Sequence, residues 1–177
     1  MEKFKQRIDV MVAGIKPLLQ NDSFEVEAGI KTIKGHVYDP KEEAEKRLIK
    51  KGDVLCQKAS HVEGSMIKSA AEFKVSGRKT YKELFKASID VEPELIPHLK
   101  TDWTIDSKSV KIGQARVMRH RPRFDEWELE FQIINRDERI QPMVIKEILE
   151  NAGANIGVGD YRPKYGLFDV IKFEVEK

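Results

Sequence analysis

The sequence predicts an α+β fold, and three observations carry that expectation. Several segments alternate apolar and polar residues, the period of half-buried strands. Two others repeat apolar residues at spacings of three and four, the stripe of an amphipathic helix. With segments at about 21–52 and 78–108 set aside as insertions, these run in the order β-α-β-β-α-β, that of ferredoxin-like and RNA-recognition-type folds. The chain has 177 residues, enough for one well-packed core and short for two. One domain spanning 1–177 is therefore expected.

Ile8, Val10 and Val12 alternate with Arg7, Asp9 and Met11 as a first strand, ended by Gly14 and Pro17. After the turn formers Asn21, Asp22 and Ser23, the residues Phe24, Val26, Ala28 and Ile30 repeat that alternation as a second strand or hairpin. Asp39 is placed to cap a helix over 40–51, with Pro40 in its first turn and Gly52 at its end. Ser60 and Glu63 have capping-box spacing ahead of the stripe Met66, Ile67, Ala70, Ala71 and Phe73. Thr80 and Glu83 repeat that spacing before Leu84 and Phe85, and Pro93 and Pro97 then impose irregular chain. Val110, Ile112, Ala115 and Val117 read as a strand whose parity changes across Gly113, as at a β-bulge. The turn Arg121–Asp125 joins it to the clean alternation Trp127, Leu129, Phe131 and Ile133. Pro142 opens a last helix with the face Val144, Ile145, Ile148 and Leu149, and Gly153 closes it. Leu167, Ile171, Phe173 and Val175 form the last strand.

Hydrophobic residues make up 40% of the chain and charged ones 35%, with a net charge of +2. This suits a folded protein with a densely charged surface, and nucleic-acid binding then needs a local basic cluster rather than a whole-molecule field. Cys56 is the single cysteine, which excludes an internal disulfide framework and points to a reducing, cytoplasmic setting. No signal peptide or run of about 18 apolar residues is present, so no membrane partner is expected.

The most distinctive segment is Gly157-Val158-Gly159-Asp160-Tyr161-Arg162-Pro163-Lys164-Tyr165-Gly166, between the last helix and the last strand. Its glycines permit positive φ or close approach of a ligand to the backbone, Arg162 and Lys164 supply cations, and Tyr161 and Tyr165 supply stacking faces. The order helix-loop-strand is the reverse of a dinucleotide fingerprint. The same residues also suit a long connecting loop whose glycines make turns and whose aromatics cover the core. The densest basic cluster is Arg116, Arg119, His120, Arg121 and Arg123. Turning the hairpin near Pro122 sets Arg116 opposite Glu130, Met118 opposite Glu128 and His120 opposite Glu126, with Arg119 beside Trp127 and with Arg121 and Arg123 free. A third candidate is the helix start His61–Lys68, where free N–H groups and Lys68 one turn inside would form an anion site.

Catalytic chemistry has weaker signals. His36, His61, His98 and His120 lack metal-ligand spacing, Cys56 has no recognisable partner, and Asp160 lacks a companion carboxylate. His61 is the best single candidate for a general base. No metal or other cofactor is expected.

Gly157, Gly159, Arg162 and Gly166 before a final strand resemble the C-terminal glycine-rich motif of the RAMP superfamily, the CRISPR-associated RNA-binding proteins. Gly64-Ser65-Met66-Ile67-Lys68-Ser69-Ala70 is similar to the loop-to-helix motif of that superfamily's backbone subunits. The chain departs from it in lacking a proline before Gly64 and in carrying Asp160 within the loop. It also looks like small proteins of tailed phages, a solitary phage-encoded relative. The resemblance implies an RNA-recognition-type fold, a bias toward single-stranded RNA or DNA, and assembly into a homo-oligomer or filament. Three functions follow: non-catalytic binding of single strands through the glycine loop, the arginine hairpin and the helix start; self-assembly or partner binding through the same loop; and endoribonuclease activity through His61.

Overall fold

In a computed structural model of the chain, which describes residues 5–22 and 39–176, the elements in chain order are β1 (Gln6–Gly14), β2 (Leu18–Leu19), α1 (Pro40–Lys46), β3 (Lys50–Lys51), β4 (Val54–Lys58), α2 (Ala59–Ala70), β5 (Lys74–Ser76), β6 (Lys79–Thr80), α3 (Lys82–Ser88), β7 (Ile89–Glu92), β8 (Leu95–Pro97), β9 (Thr104–Ile112), β10 (Ala115–Phe124), β11 (Glu128–Asn135), α4 (Pro142–Asn155) and β12 (Phe168–Val175). The strand expected at Phe24–Ile30 lies outside the described residues.

The central sheet has the order β12-β1-β11-β7, with every pair antiparallel. This is the sheet order that β-α-β-β-α-β connectivity produces when each crossover helix returns on the same face, and α2 and α4 are those helices. Ile8, Val10 and Val12 of β1 and Leu129, Phe131 and Ile133 of β11 point inward and are buried. Val62, Met66 and Ala70 of α2 and Ile145, Ile148 and Leu149 of α4 meet them. Each such aliphatic or aromatic side chain contributes on the order of 1.5 to 3 kcal/mol when fully withdrawn from water. The two helices are locked together where Ser69 Oγ donates to Ile148 O at 2.8 Å and receives Asn151 Nδ2 at 2.9 Å. The α+β fold read from the sequence is therefore the observed one.

The second core strand is β7, inside the segment 78–108, and not Val110–Val117 as expected. Its alternation Ile89-Asp90-Val91-Glu92 is four residues long and stops at Pro93, too short to stand out. Gly113 is the first residue of a two-residue turn, with φ +62° and Ile112 paired to Ala115, and not a bulge. A positive φ at that position matches the twist of a tight hairpin. The hairpin β9–β10 consequently pairs with itself, and β10 continues onto β2 through Arg123↔Leu19 and Phe124↔Leu18. The expected β10–β11 register is thus replaced: Arg116 faces Lys111, Met118 faces Ser109 and His120 faces Ser107.

Smaller corrections share one cause, local hydrogen bonding overriding spacing. Asp39 caps α1 as expected, accepting from Lys41 N at 3.0 Å and Glu42 N at 3.1 Å, but the helix ends at Lys46. α2 begins at Ala59 with Lys58 at its cap and no side-chain cap, because Glu63 accepts from Val91 N instead. In β12 the partners skip from Val12↔Val170 to Met11↔Lys172. Ile171 is the bulged residue and is exposed, while Phe173 packs inward.

Candidate nucleic-acid interface

The glycine loop is stitched to the rest of the molecule by its own backbone. Val158 N donates to Gly166 O at 2.9 Å, which closes the loop's two limbs on each other. Gly166 N donates to Pro17 O and Asp160 N to Leu19 O, both at 2.8 Å. Gly159 and Gly166 have φ of +80° and +74°. A Cβ on Gly166 would sit 1.8 Å from Val158 O, and one on Gly159 would sit 2.5 Å from both Leu18 Cδ1 and Leu19 O. These glycines are therefore required by folding, whatever else the loop does. Gly157 also has positive φ, 77°.

Since β2 pairs with both the loop and β10, it brings Tyr161–Tyr165 against the arginine hairpin. Tyr161 itself takes φ 55°. Arg121 lies with its guanidinium 5.0 Å from the Tyr161 ring centre and its Nε 2.6 Å from Asp160 Oδ2. Arg121 is 8% exposed, and its Nη1 has no hydrogen-bond partner among the described residues. Arg123 stands 6.0 Å from the Tyr165 ring and pairs with Asp125 at 2.7 Å and with Asp106 at 3.9 Å. Lys108, on β9, lies 4.5 Å from the Tyr165 ring and 5.7 Å from that of Tyr161, donates to Tyr165 Oη at 2.9 Å and pairs with Asp106. Burial alone would lower the Lys108 pKa, but hydrogen bonds to Asp106 and Tyr165 outweigh it and the pKa is raised. The expectation that Arg121 and Arg123 are free is corrected: both have carboxylate partners. Arg162 and Lys164 are exposed and form no ion pair with another described residue.

Arg119 is not part of this surface. It reaches Glu43 at 3.1 Å rather than Trp127, and Glu43, 2% exposed, also holds Arg47 at 3.0 Å and accepts from His120 N. Trp127 is buried with its Nε1 donating to Lys16 O at 2.9 Å. Lys68 stands in the last turn of α2 rather than one turn inside its start, so it is roughly 13 Å along the axis from Ala59. His61 occupies the first turn, with Gln57 Nε2 2.6 Å from its Nδ1. Burial first, then the charges of Lys58 and Arg162, lower its pKa against the opposing pull of Asp22.

Sequence reasoning missed Lys108 and Asp106, whose positions on an ordinary alternating strand give no signal without the hairpin register. It also missed Gln20 and Gln57, both buried. Cys56 is buried and burial raises its thiol pKa, so it is not an activated nucleophile. Among the described residues no group of three or more His, Cys, Asp or Glu gathers as a metal site, and no helix is long and apolar enough to cross a membrane.

No family model and no curated protein matches the chain. A solved structure does: one chain of the Type III-B Cmr-beta complex, determined by cryo-EM bound to cognate target RNA, superposes with a TM-score of 0.53 over 98% of this chain. The chain shares its α+β fold with that neighbour. The two sequences are 14% identical and this chain spans 61% of that one, so the likeness is of fold. The expected α+β fold is thus matched by a neighbour solved on RNA, a likeness that bears on the fold and not on the glycine loop or the helix start.

Proposed function

We propose that the chain is a non-catalytic binder of single-stranded nucleic acid, RNA before DNA, working in a cytoplasmic assembly. The observation that carries this reading is the convergence of Tyr161 and Tyr165 with Lys108, Arg121 and Arg123, flanked by the exposed Arg162 and Lys164, which have no ion-pair partner among the described residues. Aromatic faces for bases beside cations for phosphates are the two components of sequence-tolerant single-strand binding. The preference for RNA is supported by the fold neighbour, whose complex was solved on target RNA. Fluorescence anisotropy with labelled single-stranded RNA and DNA over a salt series tests it. Affinity that falls as salt rises, with RNA at least equal to DNA, is expected; a folded sample that binds neither at low salt refutes it.

A second reading, self-association or binding of a protein partner, is favoured by one observation. Ile105, Val117 and Met118 on the β9–β10 hairpin are exposed, and apolar surface on an arm suits a protein contact. Light scattering of the nucleic-acid-free chain across a concentration series discriminates it.

A further inference from the structure

The Gln20–Gln57–His61 chain of hydrogen bonds begins at two backbone groups whose identities are not in doubt. Ile49 N donates to Gln20 Oε1 at 3.0 Å, and Gln20 Nε2 donates to Cys56 O at 2.7 Å. Turning the Gln20 amide over would set N–H against N–H and oxygen against oxygen, so its orientation is fixed. The second hydrogen of Gln20 Nε2 goes to Gln57 Oε1 at 3.0 Å, the nearer of its two remaining neighbours, the other being His98 Nε2 at 3.2 Å. The Gln57 amide is fixed in turn, and it is its Nε2 that faces His61 Nδ1 at 2.6 Å. Gln20 and Gln57 are 1% and 0% exposed, so water does not offer them alternative partners.

An amide N–H pointing at Nδ1 requires a lone pair there. The proton of a neutral imidazole then resides on Nε2. The charged groups acting on His61 are Lys58, Arg162 and Asp22, and Lys58 Nζ is 2.7 Å from Asp22 Oδ1. Burial, then the two cations, lower the His61 pKa and so favour the neutral ring, and the Asp22 carboxylate opposes them.

We infer that the backbone-anchored Gln20–Gln57 pair holds His61 as an Nε2–H hydrogen-bond donor, which binds a phosphate oxygen of the single strand at the start of α2 and is unsuited to act as a base. The donor role rests on the nucleic-acid reading above; the tautomer does not. A general base needs an unprotonated nitrogen toward its substrate, and here that nitrogen is occupied by Gln57. The endoribonuclease alternative therefore loses its best residue. Gln20 and Gln57 are positioning residues.

Long-range 1H–15N correlation spectra of the whole chain at about pH 7, with His61→Ala used for assignment, read the tautomer directly. A protonated Nε2 and an unprotonated Nδ1 are expected; a protonated Nδ1 or a doubly protonated ring overturns the inference. Anisotropy with a labelled single-stranded RNA then reads the donor. His61→Ala is expected to weaken binding by about tenfold, the scale of a hydrogen bond to a charged group. His61→Gln, whose amide nitrogen overlays Nε2, is expected to retain most of the affinity, and His61→Asn, whose amide overlays Nδ1, to behave like alanine. Equal affinity of His61→Ala and wild type overturns the donor role. A wild-type chain that binds no single strand overturns the nucleic-acid reading and the donor role together, whereas failure of the tautomer alone leaves that reading standing. Gln57→Glu supplies a check within the relay, since a carboxylate at Nδ1 is expected to draw a proton there. If this folded variant keeps the wild-type tautomer, the relay does not set it.

Discussion

Folding withholds protons from His98. Its ring is 5% exposed and stacks on Phe124 at 4.6 Å between ring centres, with planes 6° apart. Burial lowers its pKa from 6.5 to about 4. In the unfolded chain the ring regains a pKa near 6.5. Between these values the unfolded state binds a proton that the folded state does not, so stability is level above about pH 6.5 and falls as pH drops toward about 4. At about 1.4 kcal/mol per unit the full window is about 3 kcal/mol, of which about 2 kcal/mol is lost by about pH 5. Urea unfolding followed by circular dichroism at a series of pH values measures it. Carboxylates titrate over the same range, and comparison with His98→Leu subtracts them, because that variant retains them. It also retains His61, which burial displaces in the same direction. Wild type is expected to lose about 2 kcal/mol more than His98→Leu between about pH 7 and about pH 5. Parallel pH profiles for the two proteins would refute the reasoning, however unstable the variant is in absolute terms.

Three further outcomes are expected. Arg162→Ala with Lys164→Ala weakens single-strand binding by about 1 to 3 kcal/mol without moving the melting temperature, since neither cation has an ion-pair partner among the described residues; unchanged affinity moves the site toward β10. Gly159→Val costs more in stability than in binding of the folded protein, because its side chain meets Leu18 and Leu19 at a positive φ, and a melting temperature within error of wild type would contradict that packing. Glu43→Ala removes the buried carboxylate that Arg119 and Arg47 share, leaving Arg47 its bond to Asn21 and Arg119 without that carboxylate, and calorimetry is expected to show a loss of about 3 kcal/mol; a loss well under 1 kcal/mol would mean the network is replaceable.

Much of the core was legible because it obeys period. β1, β11 and α4 announce themselves through Ile8-Val10-Val12, Leu129-Phe131-Ile133 and Ile145-Ile148-Leu149, and all of these residues are buried. β7 was not, since Ile89 and Val91 offer only two apolar positions before Pro93. Register was the larger loss. Arg116–Arg123 is equally able to pair with β11 or with β9, and Gly113 decides between them through a turn conformation that composition does not display. The grouping of the candidate site was half visible for the same reason. Tyr161, Arg162, Lys164 and Tyr165 lie together in sequence, whereas Lys108 joins them only through the hairpin and Arg119 leaves them only through α1. The contacts of the loop glycines with Val158, Leu18 and Leu19 show a packing demand that spacing alone cannot separate from a ligand's approach.

On the single-strand reading proposed above, the pairing of Arg121 with Asp160 and of Lys108 and Arg123 with Asp106 bears on how fast a strand arrives, and not only on how tightly it stays. Cations already matched to carboxylates project little field beyond a Debye length of about 8 Å at physiological salt. With a net charge of only +2 besides, long-range attraction of a polyanion is weak, so encounter proceeds near the unsteered rate of about 10⁵ to 10⁶ M⁻¹s⁻¹. Salt then acts chiefly on dissociation. On the single-strand reading, such a surface is expected to pass over most of the nucleic acid it meets and to engage only a strand that presents a base to Tyr161 or Tyr165 at the moment of contact.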